Sequence, residues 1–123
     1  MYKYKALTSE IIEAFYKVYN TLGYGFLEAV YEKSLYLELK NKGMNVVRQQ
    51  RIEVFYENQS VGIYFADLLV DNHVVVEIKA AATLRKEHEI QLLNYLKATN
   101  IEVGLLLNFG KEPEIKRRIY SNE

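Results

Sequence analysis

The run VVVEIKA at residues 74–80 sets two charged side chains among valines. As a strand, it puts Val75, Glu77 and Lys79 on one face and Val74, Val76, Ile78 and Ala80 on the other. Upstream, YFADLLV carries Asp67, and Asp71, Asn72 and His73 between the two runs have the composition of a tight turn. An odd-numbered loop made of those three pairs Val70 with Val74 and sets Asp67 opposite Glu77, with Cβ atoms about 5 Å apart. An even loop sends Asp67 to the other face, opposite Val76 or Ile78. In the odd register the two carboxylates share a proton, tie up Lys79, or hold a cation between them. Carboxylate oxygens with no thiolate or histidine nearby select a hard ion, Mg2+ or Mn2+. A lysine pointing the same way can orient a water or offset charge developing on phosphate oxygens, and metal, water and ammonium together describe phosphodiester hydrolysis. Taken alone, Glu-x-Lys on one strand face is ordinarily a solvated ion pair.

Two helical segments add candidates. Glu28 lies roughly 20° in azimuth from Leu35 and Leu39, so a carboxylate stands beside an apolar stripe. It reads either as an acid favourably placed in a first helical turn or as a third oxygen ligand for the same ion. Gly25 before it allows close backbone approach, and Tyr31 follows one turn later. Further on, Gln91 and Tyr95 are four residues apart and share a helix face, which suits either a packed or solvated surface or contact with a phosphate or base. Arg85 and Lys86 precede that helix and can supply phosphate contacts.

These residues need elements to hold them. After Thr8 and Ser9, plausible N-caps, EIIEAFYKVYNTLG places Ile11, Ile12, Phe15, Tyr19 and Leu22 at helical spacing and stops near Gly23. A second helix is predicted from about Leu27 to Lys42, with Gly43 at its C-terminal end. The vocabulary then becomes β-branched and aromatic in NVVRQQ, RIEVFYE, SVGIYFADLLV and VVVEIKA, read as four strands, with a turn at ENQS. Residues 87–98 return to helical spacing with Ile90, Leu93 and Leu96 as the buried stripe and Gln91 and Tyr95 opposite it. IEVGLLLN suits a strand covered on both faces, and the tail KEPEIKRRIYSNE an edge strand or helical turn. The predicted order, α-α-β-β-β-β-α-β, is an α/β (α+β) fold: a mixed central sheet flanked by helices in one domain spanning residues 1–123.

Composition narrows the alternatives. With 123 residues, 50% of them hydrophobic, the chain matches one globular domain that needs no staple. Zero cysteines exclude disulfides, thiolate metal sites and a cysteine nucleophile, and two histidines make an all-histidine site improbable. No phosphate-cradling glycine loop or nucleophile elbow occurs. No apolar run approaches the ~18 residues that cross a bilayer, and MYKYKALTSE lacks a signal peptide's apolar segment, so no membrane role and a cytoplasmic location are expected. Sixteen basic and sixteen acidic residues cancel, so any nucleic-acid role rests on a local patch.

Four local patterns coincide in order: Gly25-Phe26-Leu27-Glu28-Ala29-Val30-Tyr31, Asp67 in YFADLLV, Glu77-Ile78-Lys79, and Gln91-Leu92-Leu93-Asn94-Tyr95. From about Thr8 to Phe109 the chain resembles the GxxExxY family, a branch of the PD-(D/E)XK nuclease superfamily. The resemblance implies a restriction-endonuclease-like core, with Asp67, Glu77 and the Ile78 carbonyl as ligands of Mg2+ or Mn2+. It also implies Glu28 as a further ligand or ligand-orienting acid and Lys79 as the catalytic lysine. Gln91 and Tyr95 match the QxxxY pattern of exonuclease-like members, whose helix flanks the active site and nucleic acid. Ala66 stands where the nominal motif has proline, a position the superfamily varies. The expectation is therefore a divalent-metal-dependent nuclease acting on DNA, with RNA open as a substrate. A homo-oligomer could assemble a basic channel that one chain lacks. The alternative is a catalytically silent nuclease-fold module that binds or regulates, which zero net charge favours.

Overall fold

The computed structural model describes residues 4–121 and forms one strand fewer before the third helix, and one more after it, than the sequence suggests. Two helices, α1 (Lys5–Leu22) and α2 (Glu28–Asn41), lead into β1 (Val46–Tyr56), β2 (Gln59–Val70) and β3 (Val74–Lys79). Helix α3 (Lys86–Lys97) crosses to β4 (Val103–Phe109), and β5 (Pro113–Ile119) closes the sheet. The strands lie in sequence order, antiparallel except for β3 beside β4, which needs the α3 crossover because parallel neighbours cannot be joined by a tight turn.

Each sheet face is covered separately. Ile11 and Phe15 of α1 and Leu35 and Leu39 of α2 pack with Leu68, Val76 and Leu105. On the other face Leu92, Tyr95 and Leu96 of α3 pack with Val75 and Leu106. The whole of β4 is buried, as its unbroken apolar run predicts.

Three expectations are corrected. Helix α1 starts before Thr8, whose hydroxyl donates to the Tyr4 and Lys5 carbonyls at 3.0 and 3.1 Å instead of capping an N-terminus. NVVRQQ and RIEVFYE form the single strand β1, since no turn former separates Gln50 from Arg51. The irregularity there is Gln49, with φ 53°, which drops out of the ladder between the pairs Arg48–Leu68 and Gln50–Ala66. Ala66 and Leu68 would share a face of a flat strand, yet Ala66 joins the α3 core and Leu68 the α1–α2 core, so the ribbon turns over at this point. The tail takes the first of its two expected forms, the edge strand β5. Finally, α3 buries Leu92, Tyr95 and Leu96, leaving Ile90 49% exposed. Leu92 beds onto Gly104, where a Cβ would come within 2.7 Å of its Cδ1, and this contact sets the azimuth of the helix.

Candidate active site

The β2–β3 turn takes the odd register: Val70 pairs with Val74, Leu69 with Val75 and Leu68 with Val76. Asp71 and Asn72 adopt left-handed φ values of 51° and 58°, which short polar side chains tolerate, and the His73 N–H donates to the Val70 carbonyl at 3.0 Å. One step beyond Leu68 and Val76, the backbone ladder gives way to side chains. The Asp67 N–H donates to Glu77 Oε2 at 2.7 Å, and the Ile78 N–H donates to Asp67 Oδ2 at 2.7 Å. Each carboxylate thus holds the opposite strand's backbone.

The acid that the fold brings beside this pair from α2 is Glu32. Glu28 is the first residue of α2 and exposed, because a helical side chain covers the turn on its N-terminal side and Glu28 therefore reaches past the core. Glu32, one turn further in, is only 8% exposed. Its Oε1 accepts from Gln49 Nε2 at 2.8 Å and its Oε2 from Arg48 Nε at 3.3 Å, while Gln49 Nε2 also stands 3.5 Å from Asp67 Oδ1. A weaker signal was present: Glu32 lies roughly 20° from Leu39 but about 60° from Leu35, on the edge of the apolar stripe that Glu28 faces. Gln49 and Arg48, also missed, carried no signal beyond lying in a strand.

Burial pushes the Glu77 carboxyl up to about 8, and the charge on Asp67 adds to it, with Glu32 contributing further; the Asp67 N–H and Lys79 oppose the rise. Burial and then Glu32 raise Asp67 as well, against the Ile78 N–H and Lys79. Two acids that obstruct each other's ionisation form a site short of positive charge. Lys79, half-buried at the end of β3, takes part in none of the salt bridges found among the described residues, and its charge acts on both carboxyls.

Gln91 and Tyr95 flank this cluster from the inner face of α3, rather than lying opposite its buried stripe. Tyr95 is 7% exposed and its hydroxyl accepts from Gln91 Nε2 at 2.9 Å. Burial raises its phenol, followed by the charge on Glu77, which sets the ring beside the carboxylates. A groove of about 550 Å3 runs between α3 and the β1–β2 hairpin, lined by Tyr64, Gln91, Asn94, Tyr95 and Lys97 among others. Arg85 and Lys86 are exposed at the start of α3; Arg85 pairs with Glu87 at 2.8 Å, and neither cation bonds the three acids. Tyr31 serves the core: its hydroxyl donates to the Gly23 carbonyl at 2.6 Å and accepts the Phe26 N–H at 3.2 Å, and its ring stacks on Phe109. These bonds hold the loop in which Gly25 takes φ 113°.

A family model for the PD-(D/E)XK nuclease superfamily matches residues 5–118. The chain belongs to that superfamily. The crystal structure of SSO0001 is similar, with a TM-score of 0.57 at 19% identity over 78% of this chain. The match spans about half of that structure, 52% of its length, and shows the fold alone: a mixed sheet with helices on both faces, of the restriction-endonuclease-like kind. No curated protein matches the chain.

PD-(D/E)XK nucleases use divalent metals, so the residues present must be tested against one. Among the described residues no three His, Cys, Asp or Glu side chains form a ready metal-holding group. One oxygen each of Asp67 and Glu77 is turned to a backbone N–H, and both oxygens of Glu32 are held by Gln49 and Arg48. By donor chemistry the cluster fits. Its hard carboxylate oxygens and the raised pKa of Glu77 are what a divalent cation would relieve.

Proposed function

We propose that this chain is a cytoplasmic, divalent-metal-dependent nuclease of the GxxExxY branch that hydrolyses DNA phosphodiester bonds, with Mg2+ or Mn2+ as its ion. The observation that carries this reading is the Asp67–Glu77 pair, each acid accepting a backbone N–H of the other's strand across β2 and β3, short of positive charge and with Lys79 beside it. Asp67, Glu77 and the Ile78 carbonyl would hold the ion, and Glu32 would take the helix-acid role that the family resemblance implies for Glu28. Bound there, a divalent ion supplies polarisation of the scissile phosphate and a lowered pKa for water. Lys79 then donates hydrogen bonds to the attacking water and offsets charge on the phosphate oxygens. Tyr95, aligned by Gln91, presents a ring and a hydroxyl beside the acids, and the groove along α3 offers a strand both aromatic surface and Lys97. The match to QxxxY favours action at DNA ends. Arg85 and Lys86 would contact phosphates from the exposed start of α3. The test is incubation with linear and circular DNA, single- and double-stranded, and with RNA, in Mg2+, Mn2+ or EDTA. Metal-dependent cleavage of DNA is expected. The absence of cleavage in every condition would favour the silent binding module, the reading that zero net charge supports.

A further inference from the structure

We infer that Gln49 is a positioning residue, whose left-handed backbone in the middle of β1 aims one side-chain amide at both Glu32 and Asp67 and sets them for a shared divalent ion. The inference rests on the reading that these acids take up such an ion. Six non-glycine residues among those described have positive φ. Tyr4 precedes α1, Glu57 and Asn58 form the β1–β2 turn, and Asp71 and Asn72 form the next one. Gln49 alone among them lies within a strand. A left-handed conformation disfavours a side chain of this size and persists only where the surroundings over-determine it, a pattern found at functional sites.

What the conformation achieves is geometric. Arg48 and Gln49 are consecutive, and in an extended strand they would point to opposite faces. Here both reach the same carboxylate: Arg48 Nε to Glu32 Oε2 at 3.3 Å and Gln49 Nε2 to Glu32 Oε1 at 2.8 Å. The same Gln49 nitrogen approaches Asp67 Oδ1, 3.5 Å away on the neighbouring strand. Arg48 is itself placed, with its guanidinium 5.5 Å from the centre of the Tyr36 ring. Gln49 therefore links an acid of α2 to an acid of β2 whose side chain also lies against that of the first.

The test uses the full chain, with Gln49→Gly and Gln49→Asn. Glycine accepts φ 53° and removes the amide; asparagine tolerates that φ and cannot span both acids. Metal-free thermal unfolding is measured beside Mn2+ binding by calorimetry and the Mn2+ paramagnetic resonance spectrum. Both variants should melt within a few degrees of the parent yet bind Mn2+ about 10–100-fold more weakly, with an altered spectrum, the range expected when a ligand-orienting partner is lost. Parental affinity in both variants would overturn the inference while leaving the nuclease reading intact, and a parent chain that binds no Mn2+ would overturn it too. A parent chain that binds Mn2+ but cleaves nothing would sink the nuclease reading, and weakened binding in the variants would still support the role of Gln49.

Discussion

Asp67 and Glu77 each accept a backbone N–H from the other's strand, at 2.7 Å in both cases, so two acids hold together the very strands that their charges, when both are ionised, would force apart. The two N–H groups and Lys79 offset part of the repulsion, but Glu77 is still pushed up to about 8. The cluster is therefore a local weakness in a well-packed sheet.

A carboxyl whose folded pKa stands above its unfolded value binds a proton that the unfolded chain has lost. Glu77 goes from 4.5 to about 8 on folding, so its contribution is fully present below pH 4.5 and is lost as pH rises toward 8. The melting temperature of metal-free protein should fall by several degrees across that window, and Glu77→Gln should flatten the fall. Scanning calorimetry of both chains between pH 5 and 8.5 checks this; parallel curves would show that Glu77 ionises normally.

Replacing Asp67 with Asn removes one of the like charges and keeps an oxygen to accept the Ile78 N–H. Metal-free stability at pH 8 should rise by roughly 1 kcal/mol, about 4 °C for a domain of this size. Activity should disappear in the same variant. A stability gain with loss of function is the signature of strain held for a purpose.

Glu28 and Glu32 give opposite expectations. Glu28→Gln changes an exposed side chain and should leave cleavage within about twofold, whereas Glu32→Gln removes a buried charge beside Asp67 and should lower it ~100-fold or more. Single-turnover rates on one DNA substrate decide between them.

The loop after Lys79 depends on Gly110. A Cβ there would stand 2.3 Å from the Ala81 carbonyl oxygen, and Asn108 already binds that residue through both its amide atoms, at 2.9 and 3.0 Å. Gly110→Ala should cost about 1–3 kcal/mol in urea denaturation, because the obstacle is backbone and cannot rotate away.

The sequence made the Asp67–Glu77 register legible because only one loop parity puts both acids on one face, and alternation then fixed Lys79. Period alone favoured Glu28, which lies about 20° from both Leu35 and Leu39, over Glu32, which lies about 60° from Leu35; what decided burial was how far each stands inside the helix. For α3 the apolar stripe was misjudged because Ile90 and Leu92 are equally hydrophobic, and the bed that selects Leu92 is Gly104 on a strand eight residues beyond the helix's last buried leucine. Gln49 was invisible because its conformation is imposed by partners on two other elements. Local chemistry was thus readable wherever it depended on period, and unreadable wherever tertiary contact chose between equivalent residues.

The most direct measurement is the cleavage rate of end-labelled DNA by the parent chain and by Lys79→Ala, each in Mn2+ and in EDTA, with Mn2+ binding followed in parallel. Cleavage by the parent only in Mn2+, and its loss in Lys79→Ala with metal affinity largely kept, is the predicted result. Equal cleavage by the two chains, or cleavage that persists in EDTA, would contradict a metal-and-lysine site at the Asp67–Glu77 pair.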